Sequence, residues 1–587
     1  MLKLIKYLKG YILPTVVAPF LKLAEAFFEL LVPLIVAYIV DRVIPTGNTH
    51  DIYFWGGILL ALGAAGFVFV LISQYLAARA GVGYGTNLRG AIYKHINRFG
   101  YAEIDRFGTE SLITRIAADV RQTQMGVTMF IRLVLRAPFI LIGAVIMAAA
   151  ISPMLSLVFV AVSLLIGVAL YFIMSRSGKM YGVIQKQLDG VSLLVRENLT
   201  GIRVVRAFAR QEEENEDFTA AAELLAKSSR RVSIIAGLLN PLTYVLINAA
   251  VILVIWLGGF EVEGGVLSRG EIMALVNYLA QILLALVVFA NLLVTFTKAA
   301  ACAKRINEVL ETKPSLTYPE EPQALTPVAN APKIRFKDAE FYYPQSQKSD
   351  PHLKDLSFNI FPHETVGIIG STGSGKTTLI NLICRFYDIT GGLLEIDGHN
   401  IRAYRQAELA AKIGVVPQTA VLFYGTVRDN MLWGKPGATD EEIWAAIAAA
   451  QAEEFVQKLP NGLDELILQN GKNLSGGQRQ RLTIARALIK KPEILILDDS
   501  SSALDYATDA KLRQTLKTKM SALTVIMISQ RATCIKNADR ILVLEEGRPA
   551  GIGTHDKLLE TCEIYREICL SQESETEKAT ENGRAKK

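Results

Sequence analysis

Long stretches without charged residues constrain this chain more than any other feature of its sequence. Four stretches contain no Asp, Glu, Lys or Arg: residues 52–78, 137–175, 232–260 and 272–297. Each reaches the roughly 20 residues that a helix needs to cross a bilayer. The second is about twice that length and carries Ser152-Pro153 near its middle, which predicts two spans joined by a tight outer turn. Residues 11–40, apolar apart from three charged side chains, complete a prediction of six spans.

The distribution of Lys and Arg predicts the orientation in the membrane. The predicted inner loops, residues 79–125 and 176–231, are rich in basic residues, whereas the predicted outer loops hold only Arg42 and Arg269. Basic loops stay on the cytoplasmic side. The sequence therefore predicts a multi-pass membrane protein, in contact with lipids and with both termini in the cytoplasm. This bias accounts for the net charge of +6, so nucleic acid is not expected as a partner.

A change of pattern after the sixth span predicts a second domain. Five prolines between residues 313 and 332 predict a linker, because clustered prolines interrupt helices. Beyond it, short β-rich runs alternate with helical stretches, as in an α/β domain with a largely parallel sheet. These runs are residues 334–336, 366–369, 393–396, 415–416, 494–497, 525–528 and 541–544. The predicted domains are a six-helix transmembrane domain with long cytoplasmic extensions (1–312), the linker (313–332), the α/β domain (333–570) and a disordered polar tail (571–587).

The α/β domain contains a phosphate-binding loop. It reads Gly370-Ser371-Thr372-Gly373-Ser374-Gly375-Lys376-Thr377, after a predicted strand and before a helix that starts at Thr378. The glycines let backbone N–H groups surround phosphates at the positive end of the helix. Lys376 neutralises charge on the β and γ oxygens, and the Thr377 hydroxyl ligates Mg²⁺. The loop therefore predicts a nucleotide site with Mg²⁺.

A second motif, Ser475-Gly476-Gly477-Gln478, follows about 100 residues later, just before a predicted helix. Together with Gln418 after one strand and Asp498 at the end of another, it resembles the ATP-binding cassette (ABC) family. The resemblance covers the whole chain. Six spans fused ahead of one cassette are similar to a type IV half-transporter of the bacterial multidrug exporters, most of all to one chain of their heterodimeric members.

This resemblance implies roles for individual residues. Two cassettes would close head to tail, so that each ATP lies between the phosphate loop of one chain and the LSGGQ motif of the other. Ser475 and Gly477 would then contact the γ-phosphate bound by the partner chain. The other implied roles are adenine stacking by Tyr343, sensing of Mg²⁺ and of the membrane domain by Gln418, Mg²⁺ binding through water by Asp498, and signalling across the interface by Asp505. Segments near Tyr101–Arg106 and Arg206–Arg210 would couple the spans to the cassettes.

Three positions depart from the family pattern. Asp499 stands where the family has a catalytic glutamate, and its side chain is one methylene shorter. Gln530 occupies the position of the switch histidine, and Gln469-Asn470 replaces the usual Glu-Arg before LSGGQ. Because the carboxylate is withdrawn by about 1.5 Å, hydrolysis of ATP at this site should be slow. These losses beside an intact LSGGQ predict a heterodimer in which this chain holds ATP in a weak site, although a slow homodimer remains the alternative.

Charged residues inside the first span have two interpretations. Lys22, Glu25 and Glu29 share one helix face, so they could line a substrate cavity or form a structural ion pair. Arg132 and Arg136 are predicted to mark the cytoplasmic end of a span or to contact lipid phosphates.

The predicted function is ATP-driven export of amphiphilic small molecules by alternating access. A lipid flippase would share every motif. An importer is disfavoured because its cassettes are normally separate chains, and a channel or receptor is disfavoured because nothing resembles a regulatory insert.

Overall fold

A computed structural model describes residues 1–319, 325–344 and 351–572. The chain divides into two compact units: Met1–Asn97 with Glu110–Thr312, and Arg98–Thr109 with Lys313–Lys587. The first, here called the membrane unit, holds the apolar helices, and the second contains the α/β fold. Most of the predicted tail lies outside the described residues.

Within the described residues, six helical segments are long and apolar enough to cross a membrane, as predicted. They are Ile12–Thr46, Thr49–Ile96, Thr109–Ile151, Pro153–Thr200, Gln211–Glu263 and Arg269–Glu311. The helices within them are α1 (Ile12–Tyr38), α2 (Thr49–Ile96), α4 (Thr109–Thr114), α5 (Val120–Leu133), α6 (Arg136–Ile151), α7 (Pro153–Thr200), α9 (Gln211–Gly237), α10 (Leu239–Glu263) and α11 (Arg269–Glu311). Short helices α3 (Tyr101–Phe107) and α8 (Ile202–Ala207) lie in the two inner loops.

Local sequence signals explain where the outer turns fall. Ser152 caps α7 by accepting a hydrogen bond from the Leu155 N–H at 3.3 Å, and Pro153 occupies the first helical position, where its missing N–H costs nothing. Ser268 caps α11 in the same way, with Glu271 bonding back to the cap backbone. The predicted division of the long stretch at Ser152-Pro153 is confirmed.

Helices in the membrane unit pack through small residues and a few buried polar contacts. A Cβ on Gly126 would lie 2.4 Å from the Ala299 Cβ, so α5 and α11 approach more closely than larger side chains permit. The Tyr278 hydroxyl donates to the Leu30 carbonyl at 2.7 Å, and Tyr278 is fully buried. These contacts join α1, α5 and α11 into one core.

The second unit has two main sheets. The larger has six strands in the order β12-β11-β3-β10-β9-β6, and five of them run parallel. The smaller is antiparallel with the order β2-β1-β4-β5. The strands are β1 (Ile334–Phe341), β2 (Leu353–Ile360), β3 (Thr365–Gly370), β4 (Gly391–Ile396), β5 (His399–Asn400), β6 (Ile413–Val416), β7 (Gly425–Thr426), β8 (Leu466–Ile467), β9 (Ile494–Asp498), β10 (Thr524–Ile528), β11 (Arg540–Glu545) and β12 (Arg548–Gly553). All seven predicted strands are present, but the antiparallel layer and the strands β2, β5, β7, β8 and β12 were not predicted from the sequence.

Helices cover the larger sheet. They are α12 (Lys376–Ile383), α13 (Gln406–Lys412), α14 (Val427–Leu432), α15 (Asp440–Ala449), α16 (Glu453–Gln457), α17 (Gly476–Leu488), α18 (Tyr506–Lys519), α19 (Ala532–Ile535) and α20 (His555–Thr561). Strand β9 is buried along its whole length, as its apolar sequence requires for a central parallel strand. The buried sheet therefore fixes the positions of the loops that follow its strands.

Candidate nucleotide-binding site

Four neighbouring parallel strands carry the predicted site residues at their carboxyl ends. Strand β3 leads into the phosphate loop, β9 ends at Asp498, and Gln530 and Gln418 follow β10 and β6 two residues after each strand ends. The register pairs Ile528 with both Ile368 and Asp498, so these ends lie level with one another. Ligands of open α/β sheets bind at this edge.

The backbone of the phosphate loop depends on its glycines. Gly373 and Gly375 have φ of +85° and +98°, which side-chain-bearing residues rarely adopt. A Cβ on Gly370 would lie 2.1 Å from the Leu544 carbonyl oxygen on the adjacent strand β11. The loop therefore keeps a concave course in which backbone N–H groups can point at a phosphate.

Lys376 lies at the start of α12 and folds over the loop. Its Nζ donates to the carbonyls of Gly370 at 2.8 Å and Ser371 at 2.7 Å. Burial lowers the pKa of Lys376, and the nearby carboxylates of Asp498 and Asp499 oppose that effect. The ammonium therefore lies where it can neutralise a triphosphate.

Two adjacent carboxylates face this lysine. The pKa of Asp498 is raised to about 6, chiefly by burial and also by the charge of Asp499, against the opposing effect of Lys376. Burial also raises the pKa of Asp499, against the positive charge of Arg531 and a hydrogen bond from Gln418. A pair of carboxylates with a threonine hydroxyl nearby is an oxygen-rich set that suits Mg²⁺.

A cavity of about 1320 Å³ opens over the loop. It brings together eight of the predicted residues: Thr372, Gly373, Gly375, Lys376, Thr377, Thr378, Gln418 and Gln530. Tyr343 lies beside it, because its hydroxyl is 3.1 Å from the Thr378 Oγ1. The Tyr343 ring meets His352 edge to face, with 4.8 Å between centroids.

Sequence reasoning missed the opposite rim of this cavity. His352 and Lys354 at the start of β2 and Arg548 at the start of β12 line it. The hairpin before β12 is held against β2, since the Lys354 N–H donates to the Gly547 carbonyl at 2.9 Å. No motif marks these residues, and the pairings of β2 with β1 and of β12 with β11 bring them to the site.

The LSGGQ motif begins helix α17 and is not part of the cavity lining among the described residues. Ser475 caps the helix, and the Gln478 side chain accepts a hydrogen bond from the Ser475 N–H at 2.9 Å. Gly476 is exposed, and a Cβ there would meet no atom within 4 Å. The motif therefore presents a bare helix N-terminus that can receive an anion from outside the chain. Asp505 is similarly exposed and caps α18 through the Thr508 N–H at 2.9 Å.

Comparisons with known proteins agree with this geometry. Residues 15–286 match the model for the ABC transporter transmembrane region, and residues 353–502 match the ABC transporter model. An uncharacterized ABC transporter ATP-binding protein of Mycobacterium tuberculosis is 37% identical over 555 residues, which cover 94% of each chain. The chain belongs to the ABC transporter family.

Two further relatives of this ABC transporter describe its type. An ATP-dependent lipid A-core flippase of Hahella chejuensis is 32% identical, over 86% of this chain and 85% of the relative. A bacterial Atm1-family ABC exporter with ATP bound has the same fold, with a TM-score of 0.78 at 24% identity over 97% of this chain and 98% of that one. The chain thus has the fold of an ABC exporter and the organisation of a half-transporter, in a multi-pass membrane protein with a cytoplasmic cassette.

The family assignment fixes the general chemistry. The cassette binds ATP with Mg²⁺ and couples its hydrolysis to transport, and ABC exporters work as dimers. The residues present fit these ligands. The phosphate loop needs glycine at several positions, and it lies at the same sheet edge as Lys376, Thr377 and two carboxylates. The individual roles of Tyr343, Gln418 and Asp505 remain predictions.

The charged residues of the first span form a cluster in this ABC transporter. Lys22 is buried, and its Nζ lies 2.5 Å from Glu25. Arg136 on α6 pairs with Glu29 at 2.7 Å and approaches Glu25 to 3.8 Å. Arg136 is the first residue of α6, in keeping with the expectation that it marks the end of a span, and it also bonds across to α1, where it balances the second carboxylate. Glu29 keeps a third of its side chain exposed.

Proposed function

We propose that this chain is the weak-site half of a heterodimeric exporter of amphiphilic small molecules. In this arrangement the nucleotide site formed by its own phosphate loop, here called its Walker site, binds ATP and hydrolyses it poorly. Its LSGGQ motif completes the competent site of a second half-transporter. ATP bound between the two cassettes closes the inner side of the membrane domain, and hydrolysis in the partner's site resets it.

The observation that carries the proposal is the position of two substituted residues beside the candidate nucleotide site. Asp499 and Gln530 follow adjacent parallel strands, next to the strand that delivers the phosphate loop. Gln530 lines the cavity, and Asp499 accepts a hydrogen bond from Gln418, which also lines it. We infer that both side chains lie near the γ-phosphate when ATP binds. Asp499 cannot extend its reach through the backbone, because its N–H is bonded to the Ile528 carbonyl at 2.9 Å and its φ is fixed at +44°.

The two substitutions weaken different parts of the hydrolytic step. A shorter carboxylate at Asp499 orients the attacking water less well, and about 1 Å of displacement can cost a hundredfold in rate. A neutral amide at Gln530 can donate a hydrogen bond to the γ-phosphate, but it stabilises the charge that develops there less than an imidazolium does. The binding residues Lys376 and Thr377 are unchanged, so ATP is held while its hydrolysis is slow.

The intact LSGGQ motif supports division of labour over general loss of activity. Ser475 and Gly476 are exposed at a helix N-terminus, with no neighbouring side chain in the way of an incoming phosphate. A general loss of ATPase activity would not explain why the LSGGQ motif is intact. A homodimer would contain two weak sites and hydrolyse ATP slowly.

The membrane unit and the family support the proposed substrate class. Glu29 is partly exposed beside Arg136, so the cluster could contact a charged group on an otherwise apolar molecule. The flippase of Hahella chejuensis favours a second candidate, in which the amphiphile is a membrane lipid. Reconstituted vesicles with a fluorescent lipid in one leaflet separate the two, since only a flippase moves that lipid when ATP is added.

ATP turnover of the purified chain, alone and co-expressed with its partner, tests the heterodimer directly. The chain from the neighbouring gene is the first partner to try. We expect the pair to turn over ATP at least tenfold faster per chain than the chain alone, because only the pair contains a complete catalytic residue set. Equal rates per chain would support the homodimer.

A further inference from the structure

The polypeptide passes between the two compact units at three places, and two segments of the second unit that begin at these crossings contribute to one cluster of side chains. The crossings are at residues 97/98, 109/110 and 312/313. Two cytoplasmic segments are involved, residues 98–109 and the linker from 313. Both belong to the second unit, which contains the cassette. They are bonded to each other and to the helix that follows the phosphate loop.

Arg385 is the centre of this cluster. It lies just past the end of α12, and its side chain is 1% exposed. Its guanidinium donates to the linker carbonyl of Thr317 at 2.8 Å and stacks on Tyr318, with 4.4 Å to the ring centroid. On its other side it bonds to Asp388 at 3.0 Å and to the Tyr404 carbonyl at 3.3 Å. One buried side chain thus joins the phosphate-loop helix to the linker.

The backbone at this position argues that the side chain is selected for its contacts. Arg385 has φ of +53°, at a helix C-terminus where glycine or asparagine is favoured. An arginine there carries a conformational cost that glycine would avoid. The cost is offset only if the guanidinium bonds matter.

The first inner loop bonds to the same linker, at a residue close to those that Arg385 contacts. Glu103 on α3 is 7% exposed, and its carboxylate accepts bonds from the Ser315 N–H at 3.1 Å and the Ser315 hydroxyl at 3.2 Å. Tyr101 stacks on Phe386, the residue after Arg385, with 4.6 Å between centroids. Asp105 accepts a hydrogen bond from the Tyr387 hydroxyl.

We propose that Arg385 is a positioning residue that transmits the nucleotide state of the phosphate-loop helix to both cytoplasmic segments at once. We call the bonded set of Arg385, Thr317, Ser315 and Glu103 the clasp. Because α12 begins at Lys376 and ends beside Arg385, any shift of this two-turn helix on nucleotide binding moves the guanidinium. Thr317 follows that shift directly, and α3 follows it through Ser315 and Glu103. The inference concerns contacts within this chain, so it holds for a homodimer and a heterodimer alike.

Hydrogen–deuterium exchange of the full-length chain in lipid nanodiscs, with and without MgATP, tests this role. In the wild type, MgATP should slow exchange both in the phosphate loop and in residues 98–109 and 313–319. Arg385→Asn keeps a residue that tolerates positive φ but cannot reach Thr317. We expect its phosphate loop to keep the response, while the response of the two segments falls at least about fivefold.

Two other variants separate transmission from folding. Glu103→Ala, at the far end of the clasp, should also lose the response in residues 98–109 with the phosphate-loop response intact. Arg385→Lys keeps the charge without the guanidinium fork and should give an intermediate response. Arg335→Gln, which removes a partly exposed ion pair in the same cassette, is the matched control and should behave as wild type.

The remaining outcomes overturn the proposal. If Arg385→Asn keeps both responses, the guanidinium only fills space. If it loses the phosphate-loop response as well, the residue supports folding of the nucleotide site and transmits nothing. A wild-type chain in which MgATP leaves the two segments unaffected would exclude the clasp altogether.

Discussion

Lengthening the carboxylate at position 499 should increase hydrolysis in this chain's own site. Asp499→Glu adds one methylene and moves the carboxylate forward by about 1.5 Å. The backbone cannot absorb the change, because the Asp499 N–H and carbonyl are held by Ile528 and Ser502 at 2.9 and 2.8 Å. Since about 1 Å of misplacement can cost a hundredfold, we expect a gain of about 10- to 100-fold at this site.

The rate of this site must be measured with the partner's site silent. Gly476→Asp in this chain provides that background, since it places a negative charge at the helix N-terminus that serves the partner's ATP. A Cβ at Gly476 meets no atom within 4 Å, and an acidic residue in the first turn of a helix is favourable, so the fold of the chain is kept. Residual turnover in this background then reports the Walker site of this chain.

Gln530→His provides the second half of a double-mutant cycle. Alone it should raise the residual rate slightly, because a cation without a positioned water has little to act on. Combined with Asp499→Glu it should give more than the product of the two single gains, since both groups act on one transition state. An Asp499→Glu variant no faster than its background would refute the argument from reach.

Two further predictions concern the membrane cluster and the loop. Glu25→Gln should lower stability by about 3 kcal/mol, because it leaves a buried lysine without its partner, whereas Glu29→Gln should cost about 1 kcal/mol or less at its more exposed position; equal shifts in thermal unfolding in detergent would contradict this ranking. Gly370→Ala should abolish binding of a fluorescent ATP analogue, since its methyl would lie 2.1 Å from the Leu544 carbonyl oxygen, and Gly90→Ala, whose methyl meets nothing within 4 Å, is the control. Retained binding in Gly370→Ala would mean that strand β11 can move away.

Much of the fold could be predicted from the sequence because its strongest signals are local. Uncharged runs of membrane length and a proline after a serine identify six spans and one turn without reference to any other part of the chain. The same holds for the phosphate loop, where the glycines, Lys376 and Thr377 are contiguous. The parallel strands that precede Asp498 and Gln530 could be recognised because buried strands read as continuous apolar runs.

The features that the sequence did not reveal depend on long-range pairing. His352 and Arg548 reach the cavity only because an antiparallel sheet and a terminal hairpin lie against the phosphate loop. Arg136 looked like a lipid contact, since nothing in its own segment shows that Glu29 lies opposite on another helix, 107 residues away. Arg385 gave no signal at all, because most of its hydrogen-bond acceptors are backbone carbonyls, which every residue has.

The central claim is that this chain contributes its LSGGQ motif, and not its own carboxylate, to the productive hydrolysis of ATP. Asp499→Asn and Gly476→Asp, compared in steady-state ATPase assays of the co-expressed pair, test it within a single chain. Both changes suit their backbone, since asparagine tolerates the φ of +44° at position 499 and position 476 is open. The account predicts that Asp499→Asn keeps most of the turnover and that Gly476→Asp loses nearly all of it. If Asp499→Asn is as damaging as Gly476→Asp, then Asp499 is a working catalytic base and the two sites of the dimer are equivalent.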